Sequence, residues 1–196
     1  VDEAHAVGIY GERGSGLIEE AGIDSEVFLS VNAAGKALGV CGAFVAGPAW
    51  AIEYMIQRAR TFIFSTAPPP AVAAALDAAL SVILEEPERR RRLSGLVDGL
   101  RKMLDKKSIY VPPGHSQIIP IIIGDNTRSV AVAADLQAQG FDVRAIRAPT
   151  VPEGTARLRI SVNANLDLST LSRFAEVLAD ALERHGQTNS LIGGTN

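Results

Sequence analysis

The chain has 196 residues, of which 47% are hydrophobic, 21% charged and 5% aromatic, with a formal net charge of -3. That length allows one large domain or two small ones, and the composition is that of a globular protein, which excludes wholesale disorder. Nineteen basic against 22 acidic residues leave no field to gather nucleic acid or anionic lipid, so neither is an expected partner. Cys41 stands alone, which excludes an internal disulfide and a multi-cysteine metal site, and no metal is expected.

The uncharged stretch 37–52 is interrupted by Gly39, Gly42, Gly47 and Pro48, and falls short of the roughly 20 continuous apolar residues of a spanning helix. No charged leader followed by an apolar run opens the chain, so a cytoplasmic protein without a signal peptide is expected. Val1 reads as the last residue of a strand running into Asp2-Glu3-Ala4-His5, and further residues are expected to precede it.

In chain order, Val27–Val31 and Gly42–Ala46 read as short buried strands. A helix is predicted from Pro48 to about Arg60, with proline in the first turn. A second runs from Ala71 to Glu86 and is apolar all round apart from Asp77, the pattern of a mostly buried helix. Pro87 ends or kinks it. A charged helix follows over Glu88–Leu104, with Leu93, Leu96, Val97, Leu100 and Leu104 on one side. Ile109–Val111, Ile118–Ile123, Phe141–Ile146 and Ala156–Val162 read as strands. Helices fit at Asn126–Gln139, stopped by Gly140, and at Asp167–His185. The tail from Gly186 to Asn196 is polar and is expected to fray. The class is therefore α/β, with one region over residues 1–88 and a small α+β domain over 89–196.

Lys36 is set among small residues in Ala33-Ala34-Gly35-Lys36-Ala37-Leu38-Gly39, while Lys102, Lys106 and Lys107 cluster at the end of a charged helix. A buried ammonium without a partner is costly, and burial lowers its pKa toward a nucleophilic amine. A lysine at a loop tip reaching water fits the sequence equally well. Asp2 and His5 lie beyond a strand end, where α/β sheets place their ligands, and could converge on one molecule. A turn acid beside a surface histidine is the commoner outcome. Asp-Glu-Ala-His also spells a magnesium-binding helicase motif, but that function needs a phosphate loop. Here Gly35-Lys36 is followed by Ala37, Val31 and Asn32 stand near where the first glycine belongs, and the chain is acidic. Gly14-Ser15-Gly16 fails as a dinucleotide fingerprint, because Glu19 takes the third glycine position, and reads as a loop.

Arg157 and Arg159 alternate with Leu158 and Ile160, which on a strand puts both guanidiniums on one face. Arg147 ends the preceding predicted strand, so three guanidiniums could gather as a receptor for carboxylate or phosphate; a solvated, salt-bridged face is the alternative. Ser65 and Thr66 could offer hydroxyls to a phosphate or cap the next helix.

Four segments, in order, resemble a known family. Asp2-Glu3-Ala4-His5-Ala6-Val7-Gly8 is similar to D-[DE]-A-H-x-x-G, and Gly35–Gly39 to a cofactor-lysine motif. Arg60–Pro69 resembles R-x-F-I-[FY]-S-T-x-x-P, and Gly154–Ser161 resembles a closing G-T-x-R-L-R strand. The family is that of the fold-type-I, pyridoxal-phosphate-dependent α-oxoamine synthases. The resemblance implies the C-terminal part of the cofactor-binding large domain plus the small C-terminal domain. It implies that Lys36 carries the cofactor and removes the substrate's Cα proton, that Asp2 pairs with the pyridine nitrogen, and that His5 bonds the ring's phenolic oxygen. It further implies Thr66 at the cofactor phosphate of a partner subunit in a homodimer, Arg159 at the amino-acid carboxylate and Arg147 near the acyl thioester. Gly42–Val45 and the Ser-Thr-Ala-Pro run resemble the members that join L-alanine to a pimeloyl thioester, on coenzyme A or an acyl-carrier protein, in biotin synthesis. Members making aminolevulinate, aminoketobutyrate or ketosphinganine are the alternatives within the family. Two departures stand out. Ala33 replaces the family's Thr or Ser three residues before the lysine, and the family's N-terminal half, with its ring-stacking aromatic, has no counterpart here. A non-catalytic half that binds a partner chain is the reading from another class.

Overall fold

The computed structural model describes residues 1–186; the tail expected to fray lies, past Gly186, outside them. The chain divides into two compact units, Val1–Arg90 and from Arg91 onward.

In the first unit, residues 1–3 run parallel to residues 29–31. The Val1 amino group donates to Leu29 O (2.8 Å), Val31 N to Val1 O (2.9 Å) and Glu3 N to Val31 O (2.8 Å). A short helix α1 (Leu17–Ala21) follows, closed by Gly22 in the left-handed conformation. Strand β1 (Ser30–Ala33) pairs antiparallel with β2 (Ala43–Ala46), Ser30 opposite Ala46 and Ala33 opposite Ala43. Helices α2 (Ala49–Arg58) and α3 (Arg60–Ile63) come next, then α4 (Pro70–Glu85). The core of this unit is small. Val7, Ala34 and Leu38 are buried, with Val40, Phe44, Leu76, Ala79 and Ile83 packed against them.

Helix α5 (Glu88–Lys106) leads into the second unit, which has strand β3 (Ile118–Gly124), helix α6 (Asn126–Ala138), strands β4 (Arg144–Ile146) and β5 (Ala156–Ser161), and helix α7 (Leu168–Arg184). The sheet order is β3-β5-β4, with both pairings antiparallel. Alternation decides the faces: Ile119, Ile121, Ile123, Leu158 and Ile160 are buried against the apolar sides of α5, α6 and α7, while Arg157 and Arg159 lie on the other face. Asp125 and Asp167 cap α6 and α7, accepting from Arg128 N (2.8 Å) and Thr170 N (2.7 Å). No helix among the described residues is long and apolar enough to cross a membrane.

Several elements depart from the sequence expectations. Helix α4 occupies the predicted range, yet none of its residues is buried, and Leu84 is 63% exposed. Its apolarity reflects a surface left uncovered in this unit. The predicted helix Pro48–Arg60 breaks at Ala59, whose extended backbone (φ -71, ψ 104) separates α2 from α3. The strand expected at Val27–Val31 begins only at Ser30. Ile109–Val111 forms no strand, because Ile109 N turns back to Leu104 O (3.0 Å) to close α5. The strand expected at Phe141–Ile146 is confined to β4, since Val143 N bonds Phe141 O (2.8 Å) in a tight turn. Gly14-Ser15-Gly16, by contrast, is loop as expected and leads into α1.

Candidate active site

Parallel strands finish on the same edge, so the residues that follow residue 2 and those that follow β1 emerge together. Asp2 forms a parallel bridge with Val31 at that edge. The strand's alternation separates neighbours: Asp2 is exposed and Glu3 is 1% exposed. Asp2 Oδ1 accepts from Ala4 N at 2.7 Å, and Ala6 N and Val7 N both donate to Glu3 O, so the chain turns sharply here and carries His5, exposed, on the bend.

Lys36 lies in the turn after β1. Ala34 and Leu38 are buried on either side of it, and Gly35, Lys36 and Ala37 are exposed between them. The turn is held by Gly39 N to Lys36 O (3.1 Å), Val40 N to Ala34 O (3.0 Å) and Ala34 N to Gly42 O (2.9 Å). Lys36 is exposed at the tip of this turn. A Cβ on Gly35 or Gly39 would meet nothing within 4 Å, so both leave open space beside the lysine, and Gly39 also takes a positive φ of 66°.

The two turns touch. A Cβ built on Gly8 would sit 3.1 Å from Ala37 Cβ and 3.2 Å from Ile83 Cδ1. Val7, Ala34 and Leu38 share one buried cluster. The segment carrying Asp2 and His5 is thus packed on the segment carrying Lys36 closely enough that an added methyl group would push its neighbours aside. Ala33, half-buried on β1, offers no hydroxyl beside them.

Thr66 is exposed in the extended run before α4, whose N-cap is Pro69 with proline at the first helical position. Neither Ser65 nor Thr66 caps that helix, and the Ser65 hydroxyl donates to Thr61 O. Arg147 and Arg159 belong to the second unit. Arg159 is exposed on β5, with Arg144 directly opposite on β4 and Pro120 opposite on β3. Arg157 stands opposite Ile146, its Nε donating to Thr155 O at 3.0 Å. Arg147 follows β4 and is exposed, its carbonyl accepting from Thr150 N (2.9 Å). The guanidinium beside Arg159 in register is thus Arg144, which the sequence reading passed over; the period-2 pattern of a strand this short was too brief to reveal it.

Glu3 was the other omission. Its carboxylate accepts from Leu17 N (3.0 Å) and Ile18 N (2.7 Å), the first amides of α1. Glu19 clasps the loop between, accepting from Arg13 N (3.0 Å), Arg13 Nε (3.0 Å) and Ser15 N (2.9 Å). Burial alone would push the Glu19 carboxyl upward, but the Ser15 and Arg13 donors outweigh it and hold the group down at about 2. Among the described residues, no group of three or more His, Cys, Asp or Glu is placed to hold a metal ion.

The chain belongs to the aminotransferase class I and II family, which matches residues 1–178. Within that family it is similar to the 8-amino-7-oxononanoate synthase of Anaeromyxobacter dehalogenans (strain 2CP-C), 46% identical over 183 residues, which cover 93% of this chain and 46% of the relative. The crystal structure of 8-amino-7-oxononanoate synthase from Francisella tularensis superposes with a TM-score of 0.85 at 28% identity, covering 94% of this chain and 54% of that one. A serine palmitoyltransferase solved with pyridoxal phosphate gives a TM-score of 0.89 at 25% identity, covering 94% and 47%. The chain spans about half the length of the curated relatives it matches.

Proposed function

We propose that this chain supplies the cofactor-lysine half of a pyridoxal-phosphate-dependent 8-amino-7-oxononanoate synthase, a cytoplasmic homodimer that condenses L-alanine with a pimeloyl thioester and releases carbon dioxide. One observation carries the reading: Gly8 packs on Ala37, seating the Asp2–His5 turn against the Lys36 turn at the carboxyl edge of a parallel strand pair. The donor set fits the cofactor. An exposed amine, an exposed carboxylate and an imidazole stand on adjoining turns with open space at Gly35 and Gly39.

Pyridoxal phosphate, when bound, supplies an electron sink for negative charge at the amino acid's α-carbon. Lys36 would hold the cofactor and then take the Cα proton of alanine. The Asp2 carboxylate, steadied by Ala4 N, would keep the ring nitrogen protonated, and His5 would donate to the ring oxygen. By the family resemblance, Arg159 would be the receptor for the alanine carboxylate, Arg147 would serve the thioester, and Thr66 would serve the cofactor phosphate of the partner subunit. The alanine Cα bonds to the thioester carbonyl carbon, the C–S bond breaks and the thiol leaves. The carboxylate departs as carbon dioxide and a proton takes its place.

The test uses the full-length protein with added pyridoxal phosphate. Free thiol and carbon dioxide released in equal amounts from L-alanine and a pimeloyl thioester are expected, and Arg159→Ala should raise the alanine KM far more than the thioester KM. Preference for serine with a palmitoyl thioester would move the protein to another branch of the family. No turnover with either pair would overturn the reading.

A further inference from the structure

Glu3 uses every polar atom it has. Its N–H donates to Val31 O (2.8 Å), and its carbonyl accepts from Ala6 N (2.8 Å) and Val7 N (2.9 Å). Its Oε2 accepts from Leu17 N (3.0 Å) and its Oε1 from Ile18 N (2.7 Å), on a side chain 1% exposed. The surroundings are built to admit that carboxylate. Gly16 has φ 121°, and a Cβ there would lie 2.6 Å from Oε2. Helix α1 has no cap of its own, because its N-cap residue is glycine. A buried carboxylate reached from fourteen residues earlier therefore takes the place of a local cap.

We propose that Glu3 is a positioning residue for the cofactor pair. It ties the backbone between Asp2 and His5 to β1 on one side and to α1 on the other. Asp2 Oδ1 is held by Ala4 N, and that amide belongs to the residue next to Glu3. Pivoting of the 2–5 turn would move the carboxylate off the ring nitrogen and the imidazole off the ring oxygen. The five bonds of Glu3 oppose that pivot, and a shift of this kind matters because catalytic groups must be held to within about 0.5 Å. The inference rests on the assignment of Asp2 and Lys36 made above.

The experiment compares full-length wild type, Glu3→Gln, Leu17→Pro and Glu19→Gln, each with pyridoxal phosphate. Glu3→Gln puts an NH2 against an N–H donor and forfeits one acceptor. Leu17→Pro deletes a single donor at the first helical position, where proline is tolerated, and leaves the carboxylate intact. Glu19→Gln loosens the same loop without touching Glu3 and serves as the structural control. Both Glu3→Gln and Leu17→Pro should shift the pH midpoint of the bound cofactor's visible band. Glu3→Gln should also lower kcat by up to about a hundredfold, the scale of a 1 Å misplacement, with the thioester KM within about twofold. Glu19→Gln should lower thermal stability and leave the band's midpoint in place. An unshifted midpoint in Glu3→Gln overturns the inference, as does an equal shift in Glu19→Gln. If Glu3→Gln fails to fold, the midpoint in Leu17→Pro decides in the same way. A wild type that shows no band fails the cofactor assignment itself, and the positioning role falls with it.

Discussion

Gly8→Ala probes the contact on which the site depends. The residue has φ 81°, so any L side chain there pays the left-handed penalty of roughly 1–2 kcal/mol. Gly22→Ala pays the same penalty at φ 65°, but nothing lies within 4 Å of its added Cβ, whereas the Gly8 Cβ meets Ala37 Cβ at 3.1 Å and Ile83 Cδ1 at 3.2 Å. The gain from restricting the unfolded chain is common to both. Their difference therefore isolates the crowding between the two turns. The Ile83 methyl can swing aside, but Ala37 Cβ is fixed to the backbone of the lysine turn, so relief requires that turn to move. Overpacking of this kind costs about 1–3 kcal/mol. Urea titration of the full-length apoprotein should place Gly8→Ala below Gly22→Ala by that margin at unchanged m-value. Pyridoxal phosphate titration should show weaker binding in Gly8→Ala alone. Equal stability and equal affinity in the two variants would refute the packing of one turn on the other.

Two further outcomes follow from the packing and charge. Leu158, 0% exposed on the central strand β5, should cost about 2–5 kcal/mol when cut to alanine, read as a lower urea midpoint of the second unit; a loss under about 1 kcal/mol would contradict its place in the core. Glu19, held at about 2 against an ordinary 4.5, and Asp167, held at about 2 against 3.8 first by the Thr170 amide and then by the Ser169 hydroxyl, bind protons less readily folded than unfolded. Their contribution is complete above about pH 4.5 and is lost as pH falls toward 2. Glu19→Gln should flatten that acid limb in circular dichroism at fixed urea, and an unchanged limb would count against the clasp on Arg13 and Ser15.

Much of the second unit is legible because its elements carry their own periodicity. The isoleucines of β3 alternate, the leucines of α5 repeat at helical spacing, and Asp125 and Asp167 announce the helices they cap. The first unit is less legible, since its signals are long-range. Helix α1 has only five residues and glycine at its N-cap, and its cap comes from Glu3, so no local pattern marks it. The apolar composition of α4 marks a surface that needs covering, and composition alone does not tell cover by this unit from exposure. At the candidate site, the solitary lysine among small residues and the Asp-x-x-His turn were readable because each is chemically conspicuous. The packing of Gly8 on Ala37 was not, because it is made by a glycine whose significance is the missing methyl. Glu3 was hidden for a related reason. Adjacent carboxylates look alike in one dimension, and only strand alternation sends Asp2 outward and Glu3 inward.

The most direct measurement is covalent. Borohydride reduction of the full-length protein loaded with pyridoxal phosphate, followed by proteolysis and mass spectrometry, should leave the cofactor's added mass on the peptide containing Lys36 and on none of those containing Lys102, Lys106 or Lys107. A label on another lysine, or Lys36 recovered unmodified from a protein that has bound the cofactor, would contradict the account.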